Sequence, residues 1–381
     1  MKKIYILYWL VVFVLAFTTF ALTKDHFREK RSLAELYQGC IDREKKEVGQ
    51  CLKELAEYLY GNYKITEVEA GIDTLDPEKL QKCHELMHYL GWVAYKKEKS
   101  LSETFLVASG KCDSGMYHGI IEEYINEAKV DYASKEFIDI ITNACSFIES
   151  RESAIKSICH HGLGHALMFI TENDLASSLD YCNHLENGWA SSCFGGALME
   201  NIETKGVSNT GGHVKEFAYK ADDPDYPCNV LKDDYKNYCY VYRGVFEASK
   251  GEFDQAFKKC LNISAGYQSR CFWGVGNNIP TPVWSSRTSG EKCDLALEVS
   301  HQAYEQCIHG AMNFLIQLNL GSASAAAEFC DAIQKEYKDL CYRRAGFEFG
   351  GWLRAEEELQ SKCSIFPDIK AQSLCLNHDQ S

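Results

Sequence analysis

Half of the twelve histidines stand in one stretch of the chain, at His84, His88, His118, His160, His161 and His165. His84 and His88 are four residues apart in Cys83-His-Glu-Leu-Met-His88, and His161 and His165 repeat that spacing in Cys159-His-His-Gly-Leu-Gly-His165. Residues four apart share one helix face. Two imidazoles placed in that way are how helical metal sites obtain two of their ligands. Counted from the preceding cysteine, His118 and His165 occupy the same sixth position and His88 the fifth. Helices stacked in register would therefore bring these side chains to one surface. Glu122, one turn beyond His118, and Glu200, seven residues after Cys193, could add carboxylates to a facial site. The chemistry expected of such a set is zinc or another first-row transition metal, or acid–base work near neutral pH. A purely structural role competes with it, each ring hydrogen-bonding a neighbouring backbone group.

The same register continues along the chain with other side chains. Glu247, Asn277, Asn313 and Glu348 lie six to eight residues after their cysteines and read as a polar ladder on one helix face. No H-E-x-x-H, G-x-S-x-G, Walker loop or dinucleotide-binding glycine motif occurs, so the histidines carry what catalytic signal there is.

The elements that must position these residues are marked by 18 cysteines. Taken in order they pair as Cys40 with Cys51, Cys83 with Cys112, Cys145 with Cys159, Cys182 with Cys193, Cys228 with Cys239, Cys260 with Cys271, Cys293 with Cys307, Cys330 with Cys341 and Cys363 with Cys375. Five of these pairs enclose ten residues each. From Cys159 onward most pairs recur at a nearly constant interval, which is the mark of stacked repeats. The first cysteine of a pair closes an apolar helical pattern, as in Phe253-Asp-Gln-Ala-Phe-Lys-Lys-Cys260, and the second opens another, as in Cys341-Tyr-Arg-Arg-Ala-Gly-Phe. Apolar residues recur at three and four with no sustained alternation, so each unit reads as an antiparallel helical hairpin. Ten intervening residues leave about one helical turn on each side of a short loop, which brings inward-facing cysteines within disulfide reach.

A glycine follows three residues after the cysteine at Gly115, Gly162, Gly196, Gly274 and Gly310, a position that suggests close helix packing. Two intervals break the rule. Cys83 and Cys112 are too far apart for one hairpin turn and are expected to bridge neighbouring units. The interval from Cys193 to Cys228 holds extra polar residues around Lys205 to His213 and Asp222 to Asp225, a candidate contact loop or a tolerated insertion.

This pattern resembles the tetratricopeptide-like superfamily in its disulfide-stapled, cysteine-rich form, most clearly from Cys145 to Cys375. The resemblance implies an all-α solenoid or curved array of hairpins and a concave surface for a protein or peptide partner. Cys307 with His309-Gly310-Ala-Met-Asn313, and Gly115-Met-Tyr-His118-Gly119, are also similar to short zinc-site motifs of lanthionine cyclases, which are helical toroids. Zinc bound in that manner needs free thiolates, which paired cysteines do not offer.

Residues Ile4 to Leu22 run 19 positions without a charge, between Lys2-Lys3 and a basic flank at Lys24, Arg28, Lys30 and Arg31. That length predicts a membrane-spanning signal anchor over residues 1–31, followed by a helical-repeat ectodomain over 32–381, irregular to residue 144 and regular after it. Regular cysteine pairing, with no C-x-x-C zinc spacing, predicts an oxidising compartment outside the cytoplasm. The chain carries a net charge of -14. An acidic body of this kind excludes nucleic acid as a partner. Two functions are expected from these residues: binding of a protein or peptide partner on the repeat surface, or a metal centre built from His84, His88, His118, His161, His165, Glu122 and Glu200.

Overall fold

The computed structural model describes residues 32–75, 82–112, 114–148, 153–186, 188–204, 216–220, 222–283, 285–319, 321–352 and 356–378. The segment expected to anchor the chain and the insertion around Lys205 to His213 lie outside them. Among the described residues there is no strand, and no helix is long and apolar enough to cross a membrane.

The chain runs through α1 (Leu33–Ile41), α2 (Lys45–Asn62), α3 (Ile65–Ile72), α4 (Cys83–Glu98), α5 (Leu101–Val107), α6 (Gly115–Ala128), α7 (Lys135–Asn143), α8 (Ser153–Ile170), α9 (Leu175–Cys182) and α10 (Trp189–Glu203). It continues through α11 (Asp233–Ala248), α12 (Phe253–Cys260), α13 (Gln268–Asn278), α14 (Pro280–Val283), α15 (Ser286–Cys293), α16 (His301–Leu318), α17 (Ala323–Ala332), α18 (Lys338–Trp352), α19 (Glu356–Cys363) and α20 (Ile369–Leu376).

Short helices alternate with long ones for local reasons. The short helices α5, α7, α9 and α15 each start at a Ser or Asp whose side chain accepts from a backbone N–H one turn on: Ser100, Ser134, Asp174 and Ser285. They bury one stripe only. In α12 that stripe is Phe253, Ala256, Phe257 and Cys260, at helical spacing, and the other positions face outward.

All nine cysteine pairs form disulfides, with Cα atoms 5.4 to 6.0 Å apart, and every cysteine side chain is buried. Six of them tie the C-terminal end of a short helix to the longer helix that follows, Cys228–Cys239 ties a turn to α11, and Cys363–Cys375 joins the equally short α19 and α20. Cys83–Cys112 instead joins the start of α4 to the turn before α6, bridging two units as its spacing suggests. A closed loop of this length stabilises the fold by about 3 kcal/mol in the chain-entropy account. Nine disulfides imply an oxidising, extracytoplasmic environment.

The longer helices form their own layer. α2, α4, α6, α8, α10, α11, α13, α16, α18 and α20 each pack on the next in that order. The layer curves far enough for α18 to return against α8, where the Ser153 hydroxyl donates to the Gly351 carbonyl at 2.9 Å. The repeats therefore wind back on themselves over residues 153–352. The helices α4, α6, α8 and α10 are the four that carry the histidines and glutamates singled out in the sequence.

Candidate metal centre

The approach of these four helices is set by glycine. A Cβ on Gly119 of α6 would lie 2.1 Å from the His88 carbonyl oxygen of α4, and one on Gly196 of α10 would lie 1.9 Å from the His161 carbonyl of α8. Only glycine permits backbones this close. The close crossings fall at the histidines themselves, so the rings that project beside them cannot avoid one another.

All five candidate imidazoles meet. His118 stands in the middle, its ring centroid 5.3 Å from that of His84, 5.4 Å from His88, 5.1 Å from His161 and 4.7 Å from His165. His118 and His165 are buried, whereas His84, His88 and His161 are half-buried. Two trios have ligand atoms all within 4.8 Å of one another: His84, His88 and His118, and His118, His161 and His165.

The hydrogen bonds define which nitrogen faces inward. His84 Nδ1 lies 2.8 Å from the Cys112 carbonyl oxygen, which can only accept, so Nδ1 carries the proton. His88 Nδ1 lies 3.2 Å from Glu122 Oε2, and His165 Nδ1 lies 2.7 Å from Glu200 Oε2. The Ser192 backbone hydrogen-bonds His161. With its proton on Nδ1, a neutral imidazole presents a bare lone pair at Nε2. The Nε2 atoms face each other: His84 Nε2 and His88 Nε2 are 2.9 Å apart, and His161 Nε2 and His165 Nε2 are 3.3 Å apart. In addition, the Nδ1 of His118 is buried and has no hydrogen-bond partner among the described residues.

Two facing lone pairs repel unless something positive lies between them. A shared proton would serve, but it would put a cation into a poorly solvated cluster. Burial, followed by the neighbouring imidazoles, holds His84 and His118 well below the ordinary histidine range. Burial and then His165 lower His161 to about 3. Protonation of these three is thus disfavoured, and neutral imidazole is the form that binds metal. For Glu122, burial pushes upward, but His88, His165 and Trp92 together draw its carboxyl below the usual value, so it is ionised.

Glu122 and Glu200 sit on the Nδ1 side of their histidines, away from the facing nitrogens. Carboxylates in that position orient a ligating imidazole and raise its basicity. Trp92 Nε1 donates to Glu122 Oε2 at 2.8 Å and holds the carboxylate in place. Sequence reasoning passes over Trp92, although its position four residues after His88 is a signal of the same kind as the histidine pairs. The Cys112 carbonyl is also missed. It is aimed at His84 by a left-handed turn at Cys112 (φ 54°) and Ser114 (φ 60°), a conformation that costs non-glycine residues about 1 kcal/mol or more each.

His160 stays apart. It stacks on Trp189 with centroids 5.1 Å apart, its Nδ1 bonds the Lys156 carbonyl, and burial lowers it to about 4. His309 lies beside Arg344 in another part of the layer, with Cys307 held in a disulfide. Comparison of the chain with protein-family models, curated proteins and solved structures gives no match, and the side-chain geometry is the ground on which function is assigned.

Proposed function

We propose that this is a membrane-anchored, extracytoplasmic protein of tetratricopeptide-like hairpins that binds a first-row transition metal through His84, His88, His118, His161 and His165. One observation carries the reading: two pairs of imidazoles bring their Nε2 atoms to 2.9 and 3.3 Å from each other, while Nδ1 of His84, His88 and His165 is held by a backbone carbonyl or a carboxylate. Two nitrogens on a tetrahedral ion with bonds of about 2.0–2.1 Å are separated by roughly 3.3 Å. The separations of 2.9 and 3.3 Å are close to that bite. An all-nitrogen inner set favours zinc or copper over magnesium or calcium. A three-histidine subsite also leaves a fourth position, in which zinc lowers the pKa of bound water to about 7, so the centre supports metal-hydroxide chemistry. Glu122 and Glu200 belong outside the inner shell on this reading.

A protein or peptide partner on the repeat surface is the second reading. It is favoured by apolar side chains left outside on α5, where Leu106 is 85% and Val107 47% exposed.

The test of the metal centre uses the full-length chain stripped by a chelator and titrated with zinc. Zinc at one hundred times its Kd should stabilise the fold by about 2.7 kcal/mol. The His161→Ala, His165→Ala double variant should lose most of that gain. Absence of stoichiometric metal, together with an unchanged melting temperature in excess zinc, overturns the reading.

A further inference from the structure

We infer that the centre holds two metal ions and that His118 is the ligand they share. The inference rests on the metal reading above and concerns how many ions the five imidazoles take. In one coordination shell any two donor atoms can be no farther apart than twice the metal–nitrogen bond, about 4.2 Å for a first-row ion. The five histidines do not close into one such group among the described residues. They divide into two compact trios, one on α4 and α6 and the other on α6 and α8, with His118 the member common to both.

The surroundings of His118 suit that role. Its ring lies between the two pairs, 5.3 and 5.4 Å from one and 5.1 and 4.7 Å from the other. It is 2% exposed, and its Nδ1 is buried without a hydrogen-bond partner among the described residues, whereas His84, His88 and His165 have their Nδ1 atoms engaged outward. An imidazole with two available edges can donate one nitrogen to each ion. To do so it must lose its single N–H proton, which passes to solvent as the second ion enters. The resulting imidazolate supplies one lone pair to each metal, and its negative charge offsets part of the added positive charge. Glu122 and Glu200, one behind each pair, offset more of it.

Copper(II) tests this directly, because two copper ions joined through one imidazolate couple magnetically. The chelator-stripped full-length chain is loaded with copper(II) chloride, freed of excess metal by gel filtration, and analysed for metal content and paramagnetic resonance. Two coppers per chain are expected, with the low-temperature signal per copper falling by more than half as the second equivalent binds. The His118→Ala variant, shown to be folded by its circular dichroism, should bind no more than one copper and give a signal of full intensity. One copper per chain at saturation overturns the shared site and leaves the metal reading standing. Two coppers with undiminished signal remove His118 as the bridge. No bound copper, and no zinc under the same conditions, removes the metal reading as well.

Discussion

Two stretches of the long-helix layer follow the same construction and end in different chemistry. In α13, α16 and α18, as in α4 to α10, glycine crossings bring successive helices together, and a Cβ on Gly310 would lie 2.0 Å from the Trp273 carbonyl. The side chains beside that crossing are Asn277, Asn313 and Glu348. There Asn277 Nδ2 donates to Asn313 Oδ1 at 3.3 Å, and Asn313 Nδ2 donates to Glu348 Oε2 at 2.8 Å. Each amide has both a donor and an acceptor, so the ladder satisfies itself. The histidine stretch does not: Nδ1 of His84, His88 and His165 is engaged outward, the Nε2 atoms of the two pairs face each other, and His118 Nδ1 has no partner among the described residues. Packing therefore explains the polar register, but it does not explain why histidine fills the first part of it. A self-completing amide ladder was available to the same scaffold.

The largest effect separates packing from chemistry at the two crossings. Gly196→Ala and Gly310→Ala each force a backbone clash, so each should cost at least ~3 kcal/mol, the upper end for overpacked cores. Thermal unfolding of both variants should show similar losses. Zinc titration should divide them: Gly196→Ala moves α10, and with it Glu200, relative to His161 and His165 and should weaken metal binding at least tenfold, whereas Gly310→Ala should leave it unchanged. Equal zinc affinity in the two variants would mean that the glycine contact near the histidines serves packing alone.

The comparison also shows what can be read from residues in order. Hairpins, cysteine pairing and the convergence of His84, His88, His118, His161 and His165 follow from periodicity, because helix registers and a stacking rule are short-range regularities. Glycine three residues after cysteine points correctly to close helix contact at Gly196 and Gly310. The Cys112 carbonyl could not be found in that way, since a left-handed turn at a non-glycine residue has no dependable sequence mark. Nor could the return of α18 to α8, which sums small rotations over many units. The glutamates are the instructive case: spacing places Glu122 and Glu200 at the site, but only coordinates distinguish an oxygen beside Nδ1 from one among the facing nitrogens.

An intermediate effect tests the ion cluster between the two stretches. Glu247 is 2% exposed and pairs with Arg243, Lys250 and Lys259 at 2.6 to 2.9 Å. Burial pushes its carboxyl upward, but the lysines and Arg243 outweigh that and bring it below its ordinary value of 4.5. A depressed folded-state pKa contributes stability that is present above the unfolded value and is lost as pH falls through the folded one. Glu247→Gln should therefore cost about 3 kcal/mol at neutral pH, because it leaves the buried Arg243 guanidinium with carbonyl partners but no counter-charge. The gap from the unaltered chain should narrow below pH 4.5. A gap that stays constant into acid would show that the carboxylate's charge is not what holds the cluster.

The smallest effect returns to the ladder itself. Asn313→Ala removes the middle rung, leaving the Asn277 amide only its 3.4 Å bond to the Gly310 carbonyl and one Glu348 oxygen without its donor, at a cost of about 1–3 kcal/mol. Asn313→His places the histidine chemistry into the amide stretch, between an amide on α13 and a carboxylate on α18. An imidazole there can donate to Glu348 and accept from Asn277, so its loss should be smaller than that of alanine, under ~1.5 kcal/mol. It should also bind no zinc as the five-histidine cluster does, because it faces an amide donor and no second imidazole. Zinc affinity in Asn313→His would sink the claim that facing Nε2 pairs, rather than histidine in this register, make the centre.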